Sequence, residues 1–127
     1  MLSMHTIGQI CKNFGISRST LIYYDSIGLL KPAVRTEGNY RAYSENEIER
    51  LEKIILFREA GVSLKDIKTI FDSPQNNLPD ILNKRLVELK GEMNKVKSQQ
   101  QCIVELLKNG RLPQQASALN KDSFVLI

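Results

Sequence analysis

Residues 6–28 read TIGQICKNFGISRSTLIYYDSIG and contain two short helical patterns separated by a glycine turn. Thr6 can cap the first helix and Gly15 can end it. The apolar residues of this helix recur at helical spacing, at Ile7, Ile10, Cys11 and Phe14. Ser17 can cap a second helix, which Gly28 stops. The pattern predicts a helix-turn-helix over about residues 6–27.

The next stretch, about residues 33–43, changes to an extended pattern around Thr36-Glu37-Gly38-Asn39. Gly38 and Asn39 suit the two central positions of a tight hairpin turn such as type II′, in which glycine takes the first position. We therefore expect a small β-hairpin wing directly after the helix-turn-helix.

Two further helices follow the wing. Ser44 with Glu47 three residues later indicates a capping box, and the helix that it opens stops at Gly61. Ser63 with Asp66 repeats the signal and opens a fourth helix. With the helix-turn-helix and the wing, these helices make a predicted head of residues 1–73.

Past Pro74 the sequence predicts one long helix over residues 75–110. Its apolar residues recur at alternating spacings of four and three, forming a seam of Leu82, Leu86, Leu89, Met93, Val96, Gln100, Ile103 and Leu107. A helix of about thirty residues extends roughly 45 Å, farther than the head can cover, so we expect a second copy to cover the seam in a homodimer. Gln100 either fixes the register of the seam or is a solvated position near a helix crossing.

Gly110 and Pro113 end this helix and leave a tail, residues 111–127, that is polar until Phe124-Val125-Leu126-Ile127. The tail is a candidate regulatory element that binds a protein or folds back on the dimer. The alternative is a regulator that acts constitutively, without an effector.

Composition excludes several classes of protein. The net charge of +4 and pI of about 9.1 favour an anionic partner. No apolar run approaches the roughly 18 residues of a membrane span, and no secretory signal is visible, so we expect a cytoplasmic protein. Cys11, Cys102 and His5 are too few and too far apart for a metal site, and no cofactor is indicated.

Catalysis is not indicated either. The sequence has no constellation of nucleophile and base and no phosphate-binding glycine loop, so we do not expect an enzyme. A protein-binding adaptor, in which the coiled coil is the working part, is the alternative to a DNA-binding protein.

The candidate DNA-binding residues begin at the start of the second helix, where helix-turn-helix proteins meet base edges and phosphates. They are short hydroxyl donors and a guanidinium, Ser17, Arg18, Ser19 and Thr20. Tyr23 and Tyr24 follow, and because adjacent helical positions point about 100° apart, we expect one to face the core and the other to reach a phosphate.

The hairpin adds cations and phenols suited to the sugar-phosphate backbone, at Arg35, Tyr40, Arg41 and Tyr43. The chain up to Tyr43 carries a net charge of +3. The third helix begins with Glu45, Glu47 and Glu49, which favours a scaffold role, although Arg58 at its far end can reach a phosphate.

Taken together, these motifs resemble the MerR family of transcriptional regulators. The resemblance rests on Gly15-Ile16-Ser17, Thr20-Leu21, Tyr23-Tyr24, Gly28-Leu29-Leu30 and Tyr40-Arg41-Ala42-Tyr43-Ser44, and continues through Leu51 to Arg58, Gly61, Ser63-Leu64 and Ile67. It implies a mainly α protein with a winged helix-turn-helix head and a long helix that dimerises as an antiparallel coiled coil. It also implies that the second helix reads DNA, with Tyr40 and Arg41 in the wing and Arg58 near the backbone.

The resemblance implies a mechanism and partners as well. The homodimer binds an inverted repeat in double-stranded promoter DNA, distorts it, and so affects RNA polymerase on the same promoter. Metal-sensing relatives have cysteines where residues 73–78 and 109–127 of this chain have none. We expect the seventeen residues after Gly110 to be too few to enclose a ligand pocket unaided, which leaves a pocket shared between subunits as the alternative. A small-molecule or protein effector, or a redox role for Cys102, stays open.

Two positions depart from the family pattern. The family usually has arginine where this chain has Ile22, and Asn-Gly where this chain has Gly38-Asn39. Ile22 removes a cation and leaves apolar surface that is able to pack inward, so we expect weaker phosphate contact or altered site preference there, without loss of DNA binding. We expect the hairpin to form despite the exchanged turn residues.

Overall fold

The computed structural model describes residues 3–38 and 40–110, with the side chains of Pro74 and Asn76 left out. The predicted tail and the turn residue Asn39 therefore lie outside the described residues. The chain divides into two compact units, one ending at Arg85 and the other beginning at Leu86. The predicted class is confirmed, since the fold is mainly helical with a small sheet and a long last helix.

The helix-turn-helix consists of α1 (Ile7–Phe14) and α2 (Arg18–Ser26). The Thr6 hydroxyl accepts a hydrogen bond from the Gln9 backbone at 3.1 Å, and the Gln9 side chain accepts one from the Thr6 backbone at 2.8 Å. Gly15 ends α1 with a φ of 64°, a conformation that glycine adopts without strain. Ser17 caps α2 by accepting from the Thr20 backbone at 3.1 Å. The predicted caps are confirmed.

A three-stranded antiparallel sheet joins the start of the chain to the wing. It consists of β1 (Met4–Thr6), β2 (Val34–Arg35) and β3 (Arg41–Ser44) in the order β1-β3-β2. β3 is the central strand, and it pairs Ser44 with Met4 on one side and Arg41 with Arg35 on the other. The hairpin of β2 and β3 is the predicted wing, whereas β1 was not predicted.

The predicted two-residue turn at Gly38-Asn39 is wrong. The Thr36 backbone donates to the Tyr40 carbonyl at 3.0 Å, so three residues separate that pair. A type II′ turn also requires a positive φ at Gly38, which is not among the glycines with positive φ in the described chain. The observed register places Arg35 opposite Arg41, so both side chains lie on one face of the hairpin.

Two helices complete the head, α3 (Glu45–Glu59) and α4 (Leu64–Asp72). The Ser44 backbone donates to the Glu47 carboxylate at 2.8 Å, and the Ser63 hydroxyl accepts from the Asp66 backbone at 3.1 Å. Both predicted helix starts are therefore confirmed.

The core lies between these elements and is built from apolar side chains of α1 to α4, of β3 and of the loops between them. The core residues are Ile7, Ile10, Leu21, Tyr24, Leu29, Leu30, Tyr43, Leu51, Ile54, Val62, Ile67 and Ile70.

Side chains of α3 and α4 hold the loop that follows α2. Arg50 donates from Nε to the Leu29 carbonyl at 2.7 Å, and its guanidinium lies 4.0 Å from the centre of the Phe71 ring. Lys68 donates to the Ile27 carbonyl at 2.9 Å. These bonds fix the end of α2 to the scaffold helices, and burial lowers the pKa of Arg50 below its ordinary value.

The last helix, α5, spans Pro74–Asn109. Leu78 and Ile81 at its start pack against the core. In the second unit every helical residue from Leu86 to Asn109 is exposed. The apolar seam residues expose between 36% (Leu82) and 77% (Leu107) of their surface. Such a stripe favours burial against another helix.

Candidate nucleic-acid interface

The start of α2 presents a cluster of exposed polar side chains. The Ser17 hydroxyl lies 3.1 Å from that of Ser19 and 2.7 Å from that of Thr20, which is half-buried. Arg18 is exposed, and no carboxylate of the described residues pairs with it. This end of the helix therefore offers hydroxyl groups and a cation to an anionic partner.

The two adjacent tyrosines of α2 point to different environments. Tyr23 is 52% exposed, whereas Tyr24 is 7% exposed and belongs to the core. Tyr23 is therefore the surface residue. Tyr24 is buried, so the structure does not support the prediction that it binds DNA.

Three further residues that were predicted to contact the DNA backbone lie in the wing and at the end of α3. Tyr40 is exposed beside the turn. Arg58 is exposed and donates to the Val62 carbonyl at 3.1 Å, which ties it to the loop between α3 and α4. Tyr43, in contrast, is fully buried beneath the sheet and is not available to the sugar-phosphate backbone.

Asp25 was not predicted as a functional residue, yet it joins α2 to the wing. Its buried carboxylate accepts from Arg41 Nε at 3.1 Å and also pairs with Arg35. The sequence does hold a signal, because Asp25 lies four positions after the buried Leu21 and so on the same helix face. A carboxylate on that face requires a cation close by.

A cleft of about 810 Å³ opens between α2 and the base of the wing. Its walls include Ile22 from the helix, the loop residue Lys31, and both wing arginines. Ile22 is exposed on this cleft, so its apolar surface does not pack into the core. The apolar side chain stands among cations at the place where the helix meets the wing.

Residues 5–74 match a family model described as MerR HTH family regulatory protein. This chain belongs to the MerR family. The match covers the whole helix-turn-helix, the wing, α3 and α4.

The relatives that resemble this MerR-family chain in sequence are named as regulators rather than as enzymes. The multidrug-efflux transporter 2 regulator of Bacillus subtilis (strain 168) is 34% identical over 102 residues, which are 77% of this chain and 36% of that protein. The chain therefore spans about a third of the length of that relative.

Two solved structures cover the chain more fully. MtaN, the N-terminus of the Bacillus subtilis multidrug transporter activator, is 32% identical with a TM-score of 0.71, and the match covers 81% of this chain and 97% of MtaN. HiNmlR, a MerR family regulator lacking the sensor domain, was solved bound to promoter DNA. It is 27% identical with a TM-score of 0.57, and the match covers 92% of this chain and 95% of HiNmlR.

Within the MerR head of this chain, Tyr43 has an unusual environment. Its hydroxyl is buried and has no hydrogen-bond partner among the described residues. Burial raises the pKa of Tyr43, Arg41 opposes that shift, and Asp25 and Cys11 add to it. The neutral phenol is therefore the favoured form under the wing.

The described part of this MerR-family chain contains no group of three or more histidine, cysteine or acidic side chains placed to hold a metal ion. Among the described helices none is long and apolar enough to cross a membrane.

Proposed function

We propose that this chain is a DNA-binding transcription regulator that binds an inverted repeat in promoter DNA as a homodimer and controls transcription by distorting the promoter. The observation that carries the proposal is the joining of α2 to the wing through Asp25, with exposed polar side chains on both elements. A helix and a hairpin held together in this way can occupy a groove and the adjoining backbone at once.

In this proposal the start of α2 reads the DNA, and the flanking residues hold its backbone. Ser17, Arg18, Ser19 and Thr20 are placed at base edges and nearby phosphates. Tyr23, Arg35, Tyr40 and Arg58 contribute phosphate contacts from the middle of α2, the wing and the end of α3. The complex of HiNmlR with promoter DNA supports this class of ligand.

The homodimer in this proposal forms through α5. Its exposed seam, from Leu82 to Leu107, has the four-and-three spacing that a partner helix buries. An antiparallel pairing places the two heads apart on a duplex, which fits an inverted repeat. We place the protein in the cytoplasm, acting on promoters that RNA polymerase also occupies.

The test is selection of bound duplexes from a random pool by the full chain, followed by titration of the selected duplex against salt. We expect an enriched inverted repeat, and an affinity that falls steeply with salt because phosphate contacts release counterions. An R18A variant should bind the same duplex more weakly. Absence of enrichment, or affinity that is insensitive to salt, would favour the adaptor function instead.

A further inference from the structure

The two wing arginines that bind Asp25 differ in their exposure to solvent. The Asp25 side chain is 7% exposed, that of Arg41 is 18% exposed, and that of Arg35 is 50% exposed. Both arginines bind the same carboxylate oxygen, Oδ2, from directly opposite positions on β2 and β3. One cation is therefore mostly buried with the carboxylate, whereas the other remains half in solvent.

Burial decides which pair is essential to the fold. A carboxylate removed from water requires a charged partner, and Arg41 supplies one from the central strand β3. Arg35 is on β2, an edge strand of two exposed residues. A half-exposed ion pair contributes little to stability, so Arg35 can leave Asp25 at small cost while Arg41 keeps the carboxylate neutralised.

Charge and position also favour an anion as the second partner of Arg35. Asp25, Arg35 and Arg41 together carry a net charge of +1, so two arginines share one carboxylate. Arg35 lines the cleft between α2 and the wing, where Lys31 adds another cation. A phosphate entering this cleft meets a guanidinium whose planar donors match its oxygens.

We propose that the two arginines have different roles. Arg41 and Asp25 are positioning residues that fix the wing against the recognition helix α2, and Arg35 is the exchangeable cation that transfers from Asp25 to a DNA phosphate. The proposal rests on the DNA-binding function proposed above. It also assigns Arg41 a role different from the backbone contact expected from the sequence.

A matched pair of charge-conserving variants tests this division on the selected duplex. R35K keeps the charge that meets the phosphate but loses the planar donors, so its salt dependence stays that of the wild type and its affinity falls only about twofold. R41K keeps the charge but loses the Nε donor to Asp25, so its affinity falls about tenfold at every salt concentration. Equal effects of the two lysine substitutions would overturn the proposal.

Loss of charge at Arg35 gives a second readout. R35Q should make the slope of log affinity against log salt concentration shallower by about 0.9, the value for one phosphate contact. It should leave the urea midpoint of the free protein near that of the wild type, whereas R41K lowers it. An unchanged salt slope in R35Q would contradict the phosphate contact.

A substitution at Asp25 distinguishes a positioning role from a purely electrostatic effect on DNA binding. D25N removes a negative charge beside DNA, and this alone would strengthen binding. It also breaks the ion pair between Asp25 and Arg41, which we call the brace, and this loss should weaken DNA binding about tenfold. E37Q is the matched control, because Glu37 is exposed in the wing turn and its removal should leave affinity unchanged or higher. Stronger binding by D25N would refute the positioning role.

Failure of the proposed function would look different. A wild-type chain that shows no salt-dependent binding to any duplex would remove the phosphate role of Arg35 together with the DNA-binding proposal. The brace would still predict lower urea midpoints for R41K and D25N than for R35K. Unchanged midpoints would refute the positioning role of Asp25 and Arg41, whatever the outcome for DNA binding.

Discussion

At the scale of single residues, neighbours along α2 are separated by the helical turn. Tyr23 and Tyr24 are about 100° apart around the helix axis, and Tyr24 follows the buried Leu21 onto the core face. The Tyr24 carbonyl accepts from the Leu29 and Leu30 backbones at 2.9 and 3.1 Å, which holds the loop after α2. One tyrosine therefore supports the fold, and the other is available to a ligand.

This separation predicts different effects of the same substitution. Y23F should weaken binding to the selected duplex by about 1 kcal/mol, because the exposed hydroxyl loses its contact with a phosphate. Y24F should leave the affinity unchanged. Fluorescence anisotropy with labelled duplex measures both, and equal losses in the two variants would contradict the assignment of Tyr23.

Tyr43 predicts a pH dependence of stability. Its pKa in the folded state is raised above 10.0, so the neutral phenol is favoured in the fold. The stability that this contributes is fully present below pH 10 and is lost as the pH rises through the raised pKa. We expect the unfolding free energy of the wild type to fall more steeply above pH 10 than that of Y43F, measured by urea unfolding from pH 8 to 11.

Near neutral pH, Y43F should unfold with a free energy equal to that of the wild type or higher by up to about 1 kcal/mol, because it removes an unpartnered buried hydroxyl. Y43A is the control, and it should lose about 3 kcal/mol or more through the cavity it creates. A large loss in Y43F would show that the hydroxyl has a partner that stabilises the fold.

At the scale of elements, two glycines at helix ends offer a direct comparison. Gly15 and Gly61 have φ angles of 64° and 82°. A methyl group at Gly15 meets open space, whereas one at Gly61 would collide with the Arg85 guanidinium. Arg85 donates to the Ala60 carbonyl at 2.9 Å, so it cannot move aside without weakening that bond.

We therefore expect G15A to lower the free energy of unfolding by about 1 kcal/mol, the cost of the left-handed conformation alone. G61A should lose about another 1 kcal/mol through the Arg85 hydrogen bond. Urea unfolding of both variants measures the difference. Equal losses would mean that the Arg85 contact contributes nothing to stability.

Signals carried by neighbouring residues predicted most of the elements. Thr6 with Gln9 and Ser17 with Thr20 define helix starts within one turn, so the sequence contains all that is needed. β1 has three residues and depends on a partner strand near Ser44, which no local pattern reveals. The wing turn was mispredicted for a similar reason, because its register places Arg35 and Arg41 together on the distant Asp25.

At the scale of the whole molecule, a single chain leaves the apolar seam of α5 exposed to solvent. Seven apolar residues of the described helix share this seam with Gln100. A coiled coil buries such residues in pairs, and each buried side chain contributes on the order of 1.5–3 kcal/mol. Assembly and stability should therefore depend on each other.

A charge placed in the seam should separate the two chains. M93E puts a carboxylate on the apolar stripe, and we expect the mass in solution to fall from twice the chain mass of 14.5 kDa toward the single chain. N94E is the matched control, because it adds the same charge at the adjacent exposed position outside the seam. Sedimentation equilibrium measures both, and a dimer that survives M93E would place the interface elsewhere.

The central position of β3 has a consequence for how the head folds. α1 and α2 meet through local contacts, whereas β3 closes a loop of 39 residues, 5–43, when Ser44 pairs with Met4. The same strand brings Arg41 to Asp25 and supplies the partner of β2. A nascent chain that ends before residue 41 has its recognition helix but neither its sheet nor its brace. We therefore expect the capacity to read DNA to arise late in folding, in the event that docks β3.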